Sequence, residues 1–127
     1  MANKVLIVDD DSEMRQMIRV FLSLYSGIDE LLMTESSRKA LDFFNGRRKD
    51  ISLVFIDTDI PELDGQDLIK RLKEMHYEGK IVQISGRGQN VKVEGSDYFL
   101  DKPFLATDLD SIMSKMGYNP APRKNKI

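Results

Sequence analysis

Six polar residues stand where apolar runs of this 127-residue chain stop: Asp9 and Asp10, Asp57 with Asp59 just beyond it, Ser85, and Lys102. Carboxylates gathered at one place repel, and each resists ionisation beside the others. A divalent cation relieves that repulsion. The candidate ligands are all oxygens, so Mg²⁺ or Mn²⁺ fits better than Zn²⁺. The Lys102 ammonium can pair with Asp57 at rest and with phosphoryl oxygens later. The Ser85 hydroxyl can donate to the same oxygens. A carboxylate nucleophile, a metal, a cation and a hydroxyl donor together make a phosphoryl-transfer site, in which Asp57 becomes an aspartyl phosphate. The plainer reading of Asp9-Asp10-Asp11 is a solvated turn that caps a helix. It accounts for Asp11 or Ser12 and leaves Asp9 and Asp10 unexplained.

The elements that would carry these residues alternate. Val5–Val8, Leu31–Met33, Ile51–Ile56, Ile81–Ile84 and Tyr98–Leu100 are short apolar runs that read as buried strands. Pro61 forbids continued sheet pairing after the third, and Asp64-Gly65 reads as a turn into a helix. Between the strands lie helical stripes: Met14, Met17, Ile18, Phe21 and Leu24, ended by Ser26-Gly27; Ala40, Leu41 and Phe44, capped from Thr34 to Ser37 and stopped by Asn45-Gly46; and Leu68, Ile69 and Leu72. A last helix is expected over Asp108 to Met116. Repeated β-α units imply a mostly parallel sheet with helices on both faces. In such a sheet the carboxyl ends of the strands are where chemistry is done. One crossover breaks the pattern. Gly86 to Asp97 holds three glycines and an alternating Val91-x-Val93, with no helical stripe. The fourth helix is therefore expected to be missing, or reduced to a single turn or extended segment. Residues 1–118 are expected to form one domain and 119–127 a flexible basic tail.

The balance of 41% hydrophobic and 31% charged residues suits a globular domain, and a net charge of −2 gives no electrostatic reason to expect nucleic acid or a membrane as partner. There is no cysteine, which excludes disulfides, thiolate metal sites and cysteine nucleophiles. No apolar run approaches the roughly 20 residues that span a bilayer. The start shows no signal-peptide pattern, so the cytoplasm is the expected compartment. His76, the one histidine, reads as a surface loop residue.

Val5-Leu6-Ile7-Val8-Asp9-Asp10, Asp57 with Pro61 and Asp64-Gly65, Ser85-Gly86 and Lys102-Pro103-Phe104 together resemble the receiver domains of bacterial response regulators, through Tyr118. The resemblance implies a doubly wound five-stranded parallel sheet in the order 2-1-3-4-5, and a phosphoacceptor in two-component or phosphorelay signalling rather than an enzyme. Asp57 would take its phosphoryl group from a sensor histidine kinase or a histidine phosphotransfer protein. Asp10 and Asp57 would ligate Mg²⁺ directly, together with the Asp59 backbone carbonyl, and Asp9 through water. Ser85 and Lys102 would grip the phosphoryl oxygens. Phe99 stands at the aromatic switch position and would turn inward as Ser85 moves, changing contacts with a downstream protein target. The short fourth crossover departs from the family. So does the acidic Asp59, which Arg87 could pair across the site mouth and so modulate dephosphorylation. Two other functions compete. One is a phosphorylation-independent interaction module. The other is a phosphatase of haloacid-dehalogenase type, which Asp57-Thr58-Asp59 also resembles, although Pro61 and the chain length argue against it.

Overall fold

The structure, a computed structural model, describes residues 3–60, 62–87 and 92–121. Expectations placed on Pro61, on Val91 and on the tail from 122 lie outside the described residues. The elements run β1 (Lys4–Val8), α1 (Ser12–Leu22), β2 (Glu30–Thr34), α2 (Ser37–Arg47), β3 (Ile51–Asp57), α3 (Gly65–Glu74), β4 (Lys80–Ser85), β5 (Tyr98–Asp101) and α4 (Ala106–Lys115). The strands form one parallel sheet in the order β2-β1-β3-β4-β5, as the sequence led us to expect.

The sheet separates two apolar layers. Successive residues of a strand point to opposite faces, so β1 sends Leu6 and Val8 one way and Val5 and Ile7 the other. Leu6 and Val8 meet Ala40 and Phe44 of α2 and Leu68, Ile69 and Leu72 of α3. Val5 and Ile7 meet Ile18 and Leu22 of α1 and Leu109, Ile112 and Met113 of α4. Burial on both sides is why the strands read as unbroken apolar runs.

Helix boundaries differ from the sequence expectation in three places. α1 stops at Leu22, before Ser26-Gly27. Leu24 and Tyr25 donate to carbonyls three residues back, Phe21 and Leu22. That tighter winding carries Leu24 off the inner face, and it is 57% exposed. Met17, assigned to the same stripe, lies about 100° around the helix from Ile18 and is 45% exposed. α2 continues through Asn45-Gly46 to Arg47. A Cβ at Gly46 would meet nothing within 4 Å, so no turn or close approach requires glycine there. The last helix begins at Ala106, two residues before Asp108, whose carboxylate accepts from Leu105 N–H at 2.8 Å.

Between β4 and β5 the described residues carry no helix. Residues 93–96 instead make a turn, closed by Ser96 N–H donating to the Val93 carbonyl at 3.0 Å. Gly95 takes φ +108°, and a Cβ there would lie 2.9 Å from the Lys73 side chain. Val93 enters the α2–α3 layer. Residues beyond α4 bond back to the turn that follows α1. Asn119 accepts from Ser26 N–H at 3.1 Å and Ala121 donates to Leu24 at 2.6 Å.

Candidate phosphoryl-transfer site

The order β2-β1-β3 reverses direction at β1. The connection after β1 leads outward to β2, and the connection after β3 leads the other way, so a crevice opens between their carboxyl ends. Asp9 and Asp10 follow β1 into this crevice, and Asp57 ends β3. Their carboxylates come within 4.8 Å of one another. Asp9 and Asp57 are buried, and Asp10 is exposed at the rim. Lys102, just past β5, reaches across β4. Its ammonium lies 3.2 Å from Asp57 and 3.5 Å from Asp9.

Local hydrogen bonds fix each carrier. Asp11 caps α1 through Glu13 N–H at 2.9 Å. Asp9 turns one oxygen back to Asp11 N–H, also at 2.9 Å. The Arg15 guanidinium donates to the Asp9 carbonyl at 2.6 Å. The Asp57 turn is tied at both ends: Thr58 N–H donates to Ile84 at 2.8 Å, and Gly65 N–H donates to Thr58 at 2.7 Å. At Gly65 a Cβ would sit 2.1 Å from the Asp57 carbonyl oxygen. Asp64-Gly65 therefore does two jobs. Asp64 caps α3 by accepting from Asp67 N–H at 2.9 Å, and Gly65 lets α3 begin against the backbone of Asp57.

The electrostatics follow from burial. Burial and the Asp9 charge push the Asp57 carboxyl up to about 6, against the pull of Lys102. Burial likewise raises Asp9, opposed by its bond from Asp11 N–H and by Lys102. At Lys102 burial disfavours the ammonium, but Asp9 and Asp57 outweigh it and its pKa is raised. Three carboxylates thus face one ammonium, in a cluster short of positive charge. All the donors are hard oxygens, one of them at the rim. That set fits a Mg²⁺-type ion, with Asp9, Asp10 and Asp57 as the groups to hold it.

Ser85 is fully buried at the end of β4, and its Oγ accepts from Arg87 N–H at 2.9 Å. Arg87 Nη2 lies 3.0 Å from Asp59 Oδ1, so the two residues pair as the sequence suggested. Asp59 is exposed and is not among the clustered carboxylates. Phe99 is half-buried on β5, opposite Gln83 in register. His76 is exposed after α3, away from the cluster. Three residues of the site region escaped the sequence reading. Arg15 gave no signal, as an ordinary outer-face residue. Thr58, between Asp57 and Asp59, gave none either, whereas Gln83 did give one, being polar inside an apolar strand run.

The model of the response regulator receiver domain family matches residues 5–114. The chain belongs to that family. Among its relatives, the chemotaxis protein CheY of Bacillus subtilis (strain 168) is 32% identical over 111 residues, which is 84% of this chain and 90% of that protein. CheY of Thermotoga maritima is 29% identical over 121 residues, 91% of this chain and 98% of that one. Among solved structures, a receiver domain protein from Clostridium thermocellum superposes with a TM-score of 0.78 at 28% identity, over 89% of this chain and 92% of the other. The receiver domain is a module of two-component signal transduction, and its acidic crevice here is the one built from Asp9, Asp10 and Asp57. Among the described residues of this receiver domain no helix is long and apolar enough to cross a membrane.

Proposed function

We propose that Asp57 accepts a phosphoryl group from a phosphohistidine on a kinase or phosphotransfer protein, with Mg²⁺ bound at Asp9, Asp10 and Asp57, and that the added charge switches protein–protein contacts. The observation that carries this reading is the buried Asp57 carboxylate, clustered with Asp9 and Asp10 and 3.2 Å from the Lys102 ammonium. An Asp57 oxygen attacks phosphorus and the O–P bond forms. The P–N bond of the phosphohistidine breaks, and its electron pair leaves with the imidazole, which takes a proton. A bound divalent cation supplies charge neutralisation to the transferring group. Lys102 exchanges its contact with the Asp57 carboxylate for one with a phosphoryl oxygen. The Ser85 hydroxyl keeps its bond from Arg87 N–H and is free to donate its own proton to another phosphoryl oxygen. Phe99, on the neighbouring strand, follows Ser85. Attack by water on phosphorus later releases phosphate and restores the carboxylate.

Acetyl phosphate tests this directly. With Mg²⁺ the wild type should gain the mass of one phosphoryl group. Asp57→Asn, and wild type in EDTA, should gain none. A gain in Asp57→Asn equal to wild type would remove Asp57 from the role.

The interaction-module reading keeps one observation in its favour, the connection between β4 and β5 without a described helix. It predicts a partner that binds Asp57→Asn and phosphorylated wild type equally. The phosphatase reading needs Asp59 as an acid beside Asp57, and Arg87 engages that carboxylate instead. It predicts turnover of p-nitrophenyl phosphate.

A further inference from the structure

Gln83 lies in the middle of β4 with its side chain fully buried, between the apolar Val82 and Ile84. A buried primary amide is costly unless both of its ends are bonded. Here they are. Nε2 donates to Thr58 Oγ1 at 3.0 Å. Oε1 accepts from Val93 N–H at 2.9 Å and from Ser96 Oγ at 2.8 Å. Thr58 directly follows Asp57, and its hydroxyl donates in turn to the Ile84 carbonyl at 3.1 Å. Val93 and Ser96 are the two ends of the turn that stands in the connection between β4 and β5. One side chain therefore joins the residue after the phosphoacceptor to the described part of that connection.

We propose that Gln83 is a positioning residue, through which the pose of residues 92–97 sets how Asp57 is presented and how long its phosphoryl group persists. The proposal rests on Asp57 being the phosphoacceptor. With no helix described there, residues 92–97 are held by Val93 in the core, by Lys73 against Gly95, by the Gln83 amide, and by Asp97, whose N–H donates to the Ile81 carbonyl and whose carboxylate accepts from Ile81 N–H, both at 2.8 Å. Gln83 is the member of that set that also touches the Asp57 turn. Ser85 is two residues further along β4, at the start of the same connection. Any movement of Ser85 toward a phosphoryl group draws on a segment whose far end Gln83 anchors. Coupling of this kind is reciprocal in binding free energy. Where the pose of Val93 and Ser96 changes the free energy of the phosphorylated state, and not only the barrier to its decay, phosphorylation must alter the protection of the Val93 amide.

The test loads Asp57 with acetyl phosphate and Mg²⁺, removes the donor, and follows decay of the adduct by intact mass. The variants are Gln83→Met, Ser96→Ala and Ser96→Thr, each with its thermal midpoint. Gln83→Met nearly keeps volume and removes the bonds to Thr58, Val93 and Ser96. Ser96→Ala removes the hydroxyl's contacts with Gln83 Oε1 and with the Val93 carbonyl, both at 2.8 Å and both on the side remote from the carboxylate. The expected result is a decay rate altered about threefold or more in Ser96→Ala. Gln83→Met should change in the same direction and further, and Ser96→Thr should return to the wild-type rate. Amide exchange at Val93 should change on phosphorylation in wild type and not in Gln83→Met. A Ser96→Ala variant with a lowered midpoint but wild-type decay overturns the proposal, because its role is then structural only. If Gln83→Met does not fold, the Ser96 pair decides alone. A wild type that takes up no phosphoryl group overturns the phosphoacceptor reading itself. That outcome is distinct from a labelled wild type whose variants decay alike, which defeats only the role of Gln83.

Discussion

Replacing Asp57 by Asn keeps its size and removes a charge held in an unfavourable place. The Asp57 carboxyl is raised from 3.8 to about 6 by burial and by Asp9. An acid with a raised folded pKa binds its proton more tightly in the native state. Its contribution to stability is therefore highest below the unfolded value and is lost as pH rises from about 4 to about 6. In EDTA at pH 7, Asp57→Asn should be more stable than wild type by an amount on the order of 2–3 kcal/mol. The gain should shrink toward nothing by pH 4, and urea unfolding at the two pH values measures it. A gain independent of pH would mean that the charge is not the cause. Asp9, raised in the same direction, adds to the same slope. At the rim, Arg87 and Asp59 are each about half exposed, so their pairing at 3.0 Å is worth little to stability, about 0–1 kcal/mol. Its consequence is access. Arg87→Ala leaves Asp59 unpaired at the mouth and should change the dephosphorylation rate with a nearly unchanged unfolding midpoint. An unchanged rate would leave the pair without a role.

Two glycines of the helices make opposite predictions from the same residue type. Gly46 lies in the last turn of α2 with open space around it. Gly46→Ala should stabilise the protein by about 0.5–1 kcal/mol, since only conformational entropy is at stake. Gly65 starts α3 against the Asp57 backbone, with its absent Cβ 2.1 Å from the Asp57 oxygen. Gly65→Ala must push α3 or the Asp57 turn aside, and should lower both the unfolding midpoint and phosphoryl uptake from acetyl phosphate. The two substitutions separate what the sequence made legible from what it hid. Asp64-Gly65 after a strand that stops at a carboxylate is readable, because a cap followed by a close approach leaves no other residue pair as good. Asn45-Gly46 has the same look and is not a stop, because α2 gains enough from Ala40 and Phe44 in the core to carry one poor residue. Met17 and Leu24 were misplaced for a related reason. A stripe of five apolar residues does not say which of its edges the sheet covers, nor that the last turn tightens.

For the whole molecule the deciding fact is that the site belongs to no single element. Asp9 and Asp10 follow β1, Asp57 ends β3 and Lys102 follows β5, so the carboxylates converge where β1 and β3 pair, and their ammonium joins them only when β4 and β5 complete the sheet. That convergence was readable from strand ends alone, since a parallel sheet puts all its carboxyl ends on one edge. The bonds of Gln83 were not readable, because they depend on how a connection without a helix folds back. An unfolded chain cannot gather the three carboxylates, so an ion held by them binds the native state and stabilises it by mass action. At a hundredfold excess over Kd the increment is about 2.7 kcal/mol. Wild type titrated with Mg²⁺ at pH 7 should therefore show a rising unfolding midpoint. Asp57→Asn and Asp10→Asn should each lose most of that rise, although Asp57→Asn starts from the higher baseline. Protons compete for the same oxygens, so the rise in wild type should weaken below about pH 6, where Asp57 takes up its proton. Equal increments in all three proteins would place the ion elsewhere on the surface, and the acidic crevice would then be only a repulsive cluster that the fold tolerates.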